Sequence, residues 1–367
     1  MSSYLVTGGA GFIGRQVCRD LTDAGHRVRV LDSMIEQVHG PDQPVDLEGV
    51  EIRKGDVRNA DAVRSALAGV DGVVHLAAEV GVGQSMYEID RYVATNDFGT
   101  AVLLQELIAH PVQRIVVASS MSVYGEGRYV TSDGVTVDNA RRYPHDIASG
   151  RWDIIGPDGT PLSPVATDET KQTDLASIYA LTKYFQEQAI LIFGRAYRMQ
   201  AVALRLFNVF GPGQALSNPY TGVLANFSSR IANGQAPTIF EDGEQRRDFV
   251  HVRDVARAFR LALERPQLEN DIINIGSGRS YAISEVARLV ARAMGRDIEP
   301  EIMRKARSGD IRNCFADIAK ARTRLGFEPK LSLDGSLGEL AEWVASQKVL
   351  DRNEEMRRQL EARGLVA

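Results

Sequence analysis

The sequence predicts an α/β fold, a doubly wound parallel sheet followed by a smaller α/β domain. Short runs of β-branched residues alternate with amphipathic helical stretches, which is the rhythm of βαβ units. Two of those runs, residues 73–74 and 115–117, are apolar without alternation, as expected of parallel strands that are buried on both faces. Helices on both sides of such a sheet complete the predicted architecture.

The predicted strands of this sheet follow one another through the first third of the chain. Each precedes a turn that contains Gly, Ala or Ser and then an amphipathic segment. The strands cover residues 4–6, 28–31, 51–53, 72–76 and 114–118. Because a crossover helix separates successive strands, we expect the strands to pair in parallel.

The pattern becomes less regular after Tyr179. The predicted elements there are a strand at 201–207, a Gly- and Pro-rich loop at 211–221, helices at 223–233 and 254–263, and a buried strand at 272–275. We therefore predict a first domain at 1–200, to which segments near 240–277 return. A smaller, discontinuous domain is predicted at 201–345.

Two segments fall outside this plan. Residues 125–163 are rich in Gly, Pro, Asp and Arg, and they exceed the ~12 to 15 residues beyond which structureless loops are uncommon. Apolar side chains such as Tyr129 and Trp152 favour an inserted lid or hairpin, at about 126–165, over a disordered linker. The last segment, 346–367, is charge-rich with helical spacing, and we interpret it as a solvated or frayed helix without an assigned function.

The composition excludes several classes of protein. The 367 residues carry 43 Lys and Arg against 48 Asp and Glu, a formal net charge of -5, so no overall positive field would attract nucleic acid or an anionic membrane. No apolar stretch reaches the roughly 18 residues of a membrane-spanning helix, and no secretion signal is visible. Cys18 and Cys314 lie far apart without metal-ligand spacing, which suits two buried thiols in a reducing compartment. We therefore expect a cytoplasmic protein.

A glycine-rich turn directly follows the first predicted strand and opens a helix. Gly8, Gly11 and Gly14 stand where the backbone must approach a pyrophosphate, and Phe12 and Ile13 complete the turn. The free amides and the positive dipole of a helix N-terminus bind such an anion without Lys or Arg. A glycine pattern can be only a tight turn, but this strand-turn-helix position favours a Rossmann dinucleotide site.

Asp32 ends the second predicted strand, where a carboxylate bonds both hydroxyls of the adenosine ribose. A carboxylate would repel a 2′-phosphate, and the next residues, Ser33 and Met34, include no cation to bind one. The sequence therefore predicts NAD rather than NADP. An Asp at the end of a strand can also serve only to form a turn.

Tyr179 and Lys183 are four residues apart in a predicted helix, so their side chains share one face. A phenol with a reference pKa of about 10 is a poor base, but a nearby ammonium and an oxidised nicotinamide both favour the phenolate. Tyr179 is therefore a candidate proton acceptor. Such pairs also arise by chance on surface helices.

The serines after the fifth predicted strand supply the context for this pair. Ser120 follows that strand at the sheet edge that binds ligands. Ser119 and Ser122 could instead be only part of a serine-rich strand exit.

Taken together, these residues resemble the extended short-chain dehydrogenase/reductase family, and within it the nucleotide-sugar epimerases and dehydratases. The resemblance covers nearly the full chain. It depends on the order and spacing of the glycine turn, Gly55-Asp56-Val57, His75-Leu76-Ala77-Ala78, Asn96 before Gly99-Thr100, Ser120 before Val123-Tyr124-Gly125, and Tyr179 with Lys183.

The resemblance implies several cofactor contacts. Asp56 and Val57 would border the adenine, and Lys183 would bond the nicotinamide ribose. His75 would be structural rather than catalytic. The remaining residues implied to contact NAD are Leu76, Ala77, Ala78, Asn96, Ser119 and Tyr179.

The resemblance also implies a nucleotide-sugar site. Asn208 belongs to a segment whose Asn contacts the nucleotide-sugar, and Arg247 and Arg307 match positions that clamp a nucleotide diphosphate. Guanidinium groups suit this task because they bond phosphate oxygens bidentately, although either arginine could instead form a surface ion pair. The implied substrate-binding set is completed by Ser120, Ser122 and Asp310.

The residues after Ser120 indicate which reaction to expect. Sugar 4,6-dehydratases of this family carry an Asp-Glu pair there, whereas this chain has Met121 and Ser122. Dehydration is therefore disfavoured, and a 4-epimerase is expected, since it needs only reversible oxidation at one carbon. A reductase, dehydrogenase or decarboxylase of the same family and a non-catalytic NAD-binding regulator on the same fold remain the alternatives.

Within the family, residues 208–222 and the long insertion most resemble bacterial dTDP-L-rhamnose 4-epimerases. The substrate would then be dTDP-L-rhamnose or a UDP-hexose. Some relatives carry cysteine pairs in the insertion, but this chain has none there, and we predict no metal. The resemblance also implies a homodimer built around the helix bearing Tyr179 and the helix following Asn96.

Overall fold

The computed structural model describes residues 1–40, 47–218, 220, 222–307, 309–347 and 351–366. Residues 219, 221 and 308, which belong to segments used for the family resemblance, lie outside the described residues. The same holds for residues 348–350 and 367 of the predicted tail.

The strands that build the structure are mostly short. In chain order they are β1 (Ser3–Thr7), β2 (Arg27–Asp32), β3 (Val50–Lys54), β4 (Gly72–His75), β5 (Arg114–Ser120), β6 (Arg128–Val130), β7 (Thr136–Val137), β8 (Ser163–Val165), β9 (Gln200–Leu206), β10 (Asn208–Phe210), β11 (Thr238–Ile239), β12 (Arg246–Arg247), β13 (Phe249–His251), β14 (Asp271–Ile275), β15 (Tyr281–Ala282), β16 (Glu301–Ile302) and β17 (Asn313–Cys314).

Helices connect and cover these strands. In chain order they are α1 (Phe12–Asp23), α2 (Glu36–His39), α3 (Ala60–Leu67), α4 (Val82–Ser85), α5 (Ile89–Tyr92), α6 (Gly99–Ala109), α7 (Pro144–Ala148), α8 (Ile178–Tyr197), α9 (Val223–Ala232), α10 (Val252–Glu264), α11 (Ile283–Ala293), α12 (Leu333–Ala345) and α13 (Asn353–Glu361). A 3-10 turn covers Met121–Tyr124, and π-helical segments cover Val93–Phe98 and Ala321–Leu325. None of the described helices combines the length and apolarity that crossing a bilayer requires.

The largest sheet has seven parallel strands in the order β14-β9-β5-β4-β1-β2-β3. The chain starts at β1, moves outward to β3, and then returns to place β4 on the other side of β1. This reversal is the topological switch point at which open α/β sheets bind ligands beyond the carboxyl ends of their strands. The predicted fold class, a doubly wound parallel sheet, is confirmed.

Two hydrophobic cores cover the two faces of the large sheet. Along β5, Val116 belongs to one core, while Ile115 and Val117 belong to the other, because successive side chains of a strand point to opposite faces. Residues of α1 and α10 complete the first core, and residues of α3, α6 and α8 complete the second. Burial on both faces explains why these strands are continuously apolar in sequence.

A third core lies under the smaller region formed by α9, α11 and α12, with Phe210, Phe249 and Tyr281 among its members. Strand β9 pairs with both β5 and β14 in the large sheet, so a domain boundary at residue 200 would separate β9 from its neighbours. The division of the chain into domains at that residue stays a prediction.

The insertion after Gly125 contains the antiparallel sheet β7-β6-β8 and the short helix α7. Its own small core consists of Tyr129, Ala140, Ile154 and Leu162. Within the described residues, no three His, Cys, Asp or Glu side chains form a group that could hold a metal ion.

The C-terminal segment forms helix α13, but it is not simply solvated. Met356 and Leu360, four residues apart, are 8% and 2% exposed. The interpretation of the tail as a solvated or frayed helix is wrong for this inner face, because it packs against the rest of the chain. Its outer face carries the charged side chains that suggested a solvated helix.

Candidate active site

A cleft of about 1360 Å³ lies at the carboxyl ends of β1, β2, β4, β5 and β9 and continues over the smaller region. Pockets for one drug-sized ligand have volumes of roughly 300–1,000 Å³. The cleft exceeds this range, as expected of a site that holds more than one ligand. It is lined by all the sequence-predicted site residues except Asn96.

The glycine turn brings backbone to the floor of the cleft. Gly8 has a φ of +68°, and a Cβ there would lie 2.8 Å from the backbone N of Ala77. A Cβ on Gly14 would lie 2.4 Å from the carbonyl oxygen of Gly8, so neither position tolerates a side chain. Helix α1 begins at Phe12 with no side-chain cap at Gly11. The amides of this first turn therefore face the cleft as a phosphate site, which fits the pyrophosphate of a dinucleotide.

Asp32 is held rigidly at the end of β2. Its carboxylate accepts hydrogen bonds from the backbone N–H groups of Ala10, at 3.0 Å, and Met34, at 2.9 Å. Burial by itself would raise its pKa, but a hydrogen bond from His39 and the two amides outweigh burial and lower the pKa. Nε2 of His39 lies 3.4 Å from the carboxylate. This neighbour was missed, because it does not directly follow Asp32 in the sequence. An ionised Asp32 at this position fits the predicted ribose contact.

Asn96 is not in the cleft wall. The residue is fully buried, where its Oδ1 accepts from the backbone N–H of Glu79 at 2.7 Å and its Nδ2 donates to Thr182 Oγ1 at 2.9 Å. The contact with the cofactor that the resemblance implies for Asn96 stays a prediction. Asn96 lies one layer behind the wall and connects the loop after β4 to helix α8.

The catalytic candidates meet where β5 ends beside the first turns of α8. Ser177 caps this helix by accepting a hydrogen bond from Ala180 N–H, which fixes Tyr179 in the first turn. Tyr179 makes a hydrogen bond with Ser120, and Ser122 Oγ donates to Ser120 Oγ at 2.9 Å. Ser120 thus connects Tyr179 to Ser122.

The pKa of Tyr179 is raised, because burial of the phenol outweighs its hydrogen bond with Ser120. The expected lowering of this pKa by Lys183 is not seen. Lys183 Nζ donates instead to Gln186 Oε1 at 2.7 Å, and burial lowers the pKa of the lysine to about 7 although the charge of Glu187 opposes this shift. A lysine that is only partly protonated near neutral pH favours the phenolate less than a full ammonium does.

A buried network holds Lys183 from behind. Gln186 Nε2 donates to Thr100 Oγ1 at 3.0 Å and lies 3.2 Å from His75 Nε2. Burial lowers the pKa of His75 to about 3, so this ring is neutral near pH 7, which fits the structural role that the resemblance implies. Gln186 was missed, because nothing in the sequence marks it beyond its position on the face of α8 that carries Lys183.

Unpaired hydrogen-bond acceptors line the part of the cleft that begins beyond the carboxyl end of β9. Asn208 Oδ1, Gln214 Oε1 and Gln245 Oε1 are buried and have no hydrogen-bond partner among the described residues. Leaving a buried acceptor without a donor costs about 1–3 kcal/mol. Ligand hydroxyl or N–H groups would satisfy these atoms. The resemblance identified Asn208, but the two glutamines were missed.

Arg247 is a partly buried cation at the same end of the cleft. Its guanidinium donates to the carbonyl oxygens of Ile311 and Arg312, at 2.5 and 2.9 Å. Within the described part of the chain, no carboxylate lies at ion-pair distance from it, and burial lowers its pKa. A buried positive charge without a counterion favours an anionic ligand such as a phosphate.

Arg307 also lines the cleft. Its Nε and Nη2 lie 2.8 and 3.2 Å from the two carboxylate oxygens of Asp310, and its guanidinium lies 4.5 Å from the ring centre of Phe240. Arg307 therefore forms an ion pair, the alternative that the sequence left open, and it also lines the cleft. Phe240 was missed, because a single aromatic in an irregular segment carries no recognisable pattern.

The C-terminal helix closes one side of the cleft. Gln359 Oε1 accepts from Tyr87 at 3.0 Å and from Tyr220 at 3.3 Å, and the two phenols bond each other. Leu360 packs near Gly83, and α13 contributes several side chains to the cleft lining. The position of this helix in the cleft was not expected from its charge-rich sequence.

Comparisons with known proteins agree with this geometry. The model of the NAD dependent epimerase/dehydratase family matches residues 4–148 and 153–276. A dTDP-L-rhamnose 4-epimerase from Burkholderia thailandensis is 36% identical over 354 residues, which cover 95% of this chain and 96% of that protein.

Solved structures give the same result. The structure of UDP-glucose 4-epimerase with UDP-glucose from Thermotoga maritima matches with a TM-score of 0.76 and 30% identity, covering 94% of this chain and 98% of that one. The UDP-glucuronic acid 4-epimerase from Bacillus cereus, in complex with UDP-glucuronic acid and NAD, matches with a TM-score of 0.77 and 26% identity, covering 94% and 99%. The resemblance drawn from the motifs is confirmed, and this chain belongs to the NAD-dependent epimerase/dehydratase family.

Proposed function

We propose that this chain is a nucleotide-sugar 4-epimerase with NAD as its cofactor. The observation that carries the proposal is the meeting of Ser120, Tyr179 and Lys183 in one cleft, with Met121 and Ser122 where a sugar dehydratase of this family has its acid and base. The family is NAD-dependent, and the glycine turn and the ionised Asp32 fit that dinucleotide.

Ser120 and Tyr179 would act on the same sugar oxygen. In its phenolate form, which the positive charge of an oxidised nicotinamide would favour, Tyr179 accepts the proton of the 4-hydroxyl, while Ser120 hydrogen-bonds the oxygen as it becomes a carbonyl. Because Ser122 donates to Ser120, the proton of Ser120 is free to point toward Tyr179 or the sugar. Bound NAD supplies a reversible acceptor for the hydride on sugar C4. The 4-keto sugar then turns over, and Tyr179 returns the proton when the other face is reduced.

The side chains after Ser120 support epimerisation over dehydration. Removal of water needs a second acid and base beside the reacting carbon. Met121 supplies neither, and the hydroxyl of Ser122 is used in its bond to Ser120.

We further propose a nucleotide diphosphate sugar as substrate, either dTDP-L-rhamnose or a UDP-hexose. The unpaired cation of Arg247 and the stacked pair of Arg307 with Phe240 suit a diphosphate and a planar base. A cytoplasmic homodimer, expected from the sequence and the resemblance, stays part of this proposal.

The test is the Tyr179→Phe variant assayed with UDP-, dTDP-, GDP- and CDP-sugars. Wild-type protein should interconvert one sugar pair without net NADH formation. The variant should lose about 100-fold or more in kcat while NAD stays bound, since the phenol acts as the base. Tyr184→Phe, on the same helix, is the matched control and should keep its activity.

Three results would contradict the proposal in different ways. Retained turnover in Tyr179→Phe would refute the role of the phenol. Stoichiometric NADH or carbon dioxide would point to a dehydrogenase or decarboxylase. Failure of every nucleotide sugar to reduce bound NAD, even transiently, would favour a non-catalytic NAD-binding regulator.

A further inference from the structure

The insertion after Gly125 is joined to the arginine end of the cleft by buried charges. Arg142, from this insertion, has a side chain that is only 6% exposed, and its guanidinium binds three groups. Nε lies 3.0 Å from Glu126 Oε1, Nη1 pairs with Glu241, and Nη2 donates to the carbonyl oxygen of Asp310 at 2.5 Å. Arg142 therefore reaches from the insertion to the backbone of the loop that carries Asp310.

Glu126, at the start of the insertion, holds the next residues of the same loop. Its two carboxylate oxygens accept from the backbone N–H groups of Arg312, at 2.6 Å, and Asn313, at 3.1 Å. The carbonyl oxygens of Ile311 and Arg312 accept from Arg247. Residues 310–313 are thus gripped by the insertion on one side and by a cleft arginine on the other.

Both cleft arginines depend on this loop for their position. Arg307 is paired through its guanidinium with the carboxylate of Asp310, and Arg247 is anchored on the adjacent carbonyls. A shift of the loop would therefore move both cations. Misplacement of a binding group by about 1 Å can lower the kcat/KM of an enzyme about 100-fold.

Stability alone is a poor explanation for this cluster. The side chains of Glu126, Glu241 and Arg312 are 8%, 1% and 2% exposed, so several charges have been removed from water together. Desolvation of buried ion pairs often cancels their attraction, and apolar side chains of similar volume would stabilise the fold at least as well. What such a cluster does supply is a fixed geometry, because each guanidinium N–H requires an acceptor in one direction.

We propose that Arg142 and Glu126 are positioning residues through which the insertion sets the geometry of the diphosphate-binding arginines. This inference rests on the proposed nucleotide-sugar site. The insertion is then part of the binding machinery for the nucleotide diphosphate, although the side chains of Arg142 and Glu126 bond protein groups at this site.

The test compares Arg142→Met with Arg141→Met in the NAD-loaded protein. Arg141 is the matched control, because it is 65% exposed and pairs with Asp174. Titration calorimetry with UDP, dTDP, GDP and CDP gives the Kd for each nucleotide. For the nucleotide that wild type binds, Arg142→Met should raise Kd and KM about 10- to 100-fold, with kcat changed less than about threefold. Arg141→Met should match wild type.

Equal Kd values for wild type and a folded Arg142→Met would overturn the inference while leaving the proposed function intact. If wild type binds none of the four nucleotides, the proposed function fails first. Arg142→Lys serves if the methionine variant does not fold, since it keeps the charge but cannot make all three contacts.

Hydrogen exchange on the wild-type protein provides a test without any variant. Addition of the bound nucleotide should slow exchange at the amides of Arg312 and Asn313 and also within β6 of the insertion. Protection confined to residues outside the insertion would contradict the coupling.

Discussion

Lys183 lies in a buried environment that disfavours its charged form. Burial lowers its pKa to about 7, and its Nζ donates a hydrogen bond to the neutral Gln186 Oε1, where a carboxylate would have formed an ion pair. In the unfolded chain a lysine keeps a pKa of about 10.4. The unfolded state therefore binds more protons than the folded state between these two values, and stability rises with pH in that window.

Replacement of Lys183 by Met should remove this pH dependence. Above pH 7, we expect the unfolding free energy of wild type minus that of Lys183→Met to rise by about 1.4 kcal/mol per pH unit. The reason is that wild type releases one proton on folding in this range. Denaturant unfolding at pH 7, 8 and 9 measures the difference. Lys54→Met, at an exposed lysine, is the control and should show no such slope. A difference that does not change with pH would mean that Lys183 keeps its proton in the fold.

At the scale of elements, helix α13 is the part whose role the sequence did not indicate. Its inner face places Gln359 between two phenols and Leu360 beside Gly83, so it forms a wall of the cleft rather than a free tail. Such a wall would border a ligand held in the cleft.

Leu360→Asp should detach this wall. A carboxylate cannot be buried there without a partner, so we expect KM for the nucleotide sugar to rise about tenfold, with NAD content unchanged and kcat reduced much less. Steady-state kinetics and NAD release measure these quantities.

The control for this variant lies on the same helix. Arg358→Ala removes a side chain that is 77% exposed and should leave KM unchanged. An unaltered KM in Leu360→Asp would show that the cleft works without the helix.

At the scale of the whole molecule, an apolar stripe remains uncovered. Leu181, Phe185 and Ile192 are 46%, 39% and 57% exposed and follow the i, i+4, i+11 spacing of one face of α8. Phe98, 56% exposed, adds to it from the π-helical segment that packs beside α8. Exposed apolar surface on adjacent helices is typical of a protein interface.

We expect Ile192→Asp to convert a homodimer into a monomer, because a charge within an apolar interface would be desolvated without a partner. Sedimentation velocity measures the mass of each variant. Val135→Asp is the matched control, since Val135 in the insertion is also 57% exposed. A wild-type protein that sediments as a monomer, or an Ile192→Asp variant that still dimerises, would refute this interface.

The sequence by itself determined the large sheet, the glycine turn and the shared helix face of Tyr179 and Lys183. These features follow local rules: strands buried on both faces read as apolar runs, a side chain at Gly8 would strike backbone, and residues four apart share a helix face. Each can be recognised within a few neighbouring residues.

Only the tertiary structure decided which partners those residues meet. Asn96 turned out to lie behind the wall, Lys183 met Gln186 and a buried environment, and Gln359 reached Tyr87 across 272 positions of sequence. Burial and long-range contacts depend on how whole elements pack. A charged helix with two apolar residues has the same sequence pattern whether it is solvated or packed against the protein. Protonation states and the closed wall of the cleft are therefore properties of the packed chain.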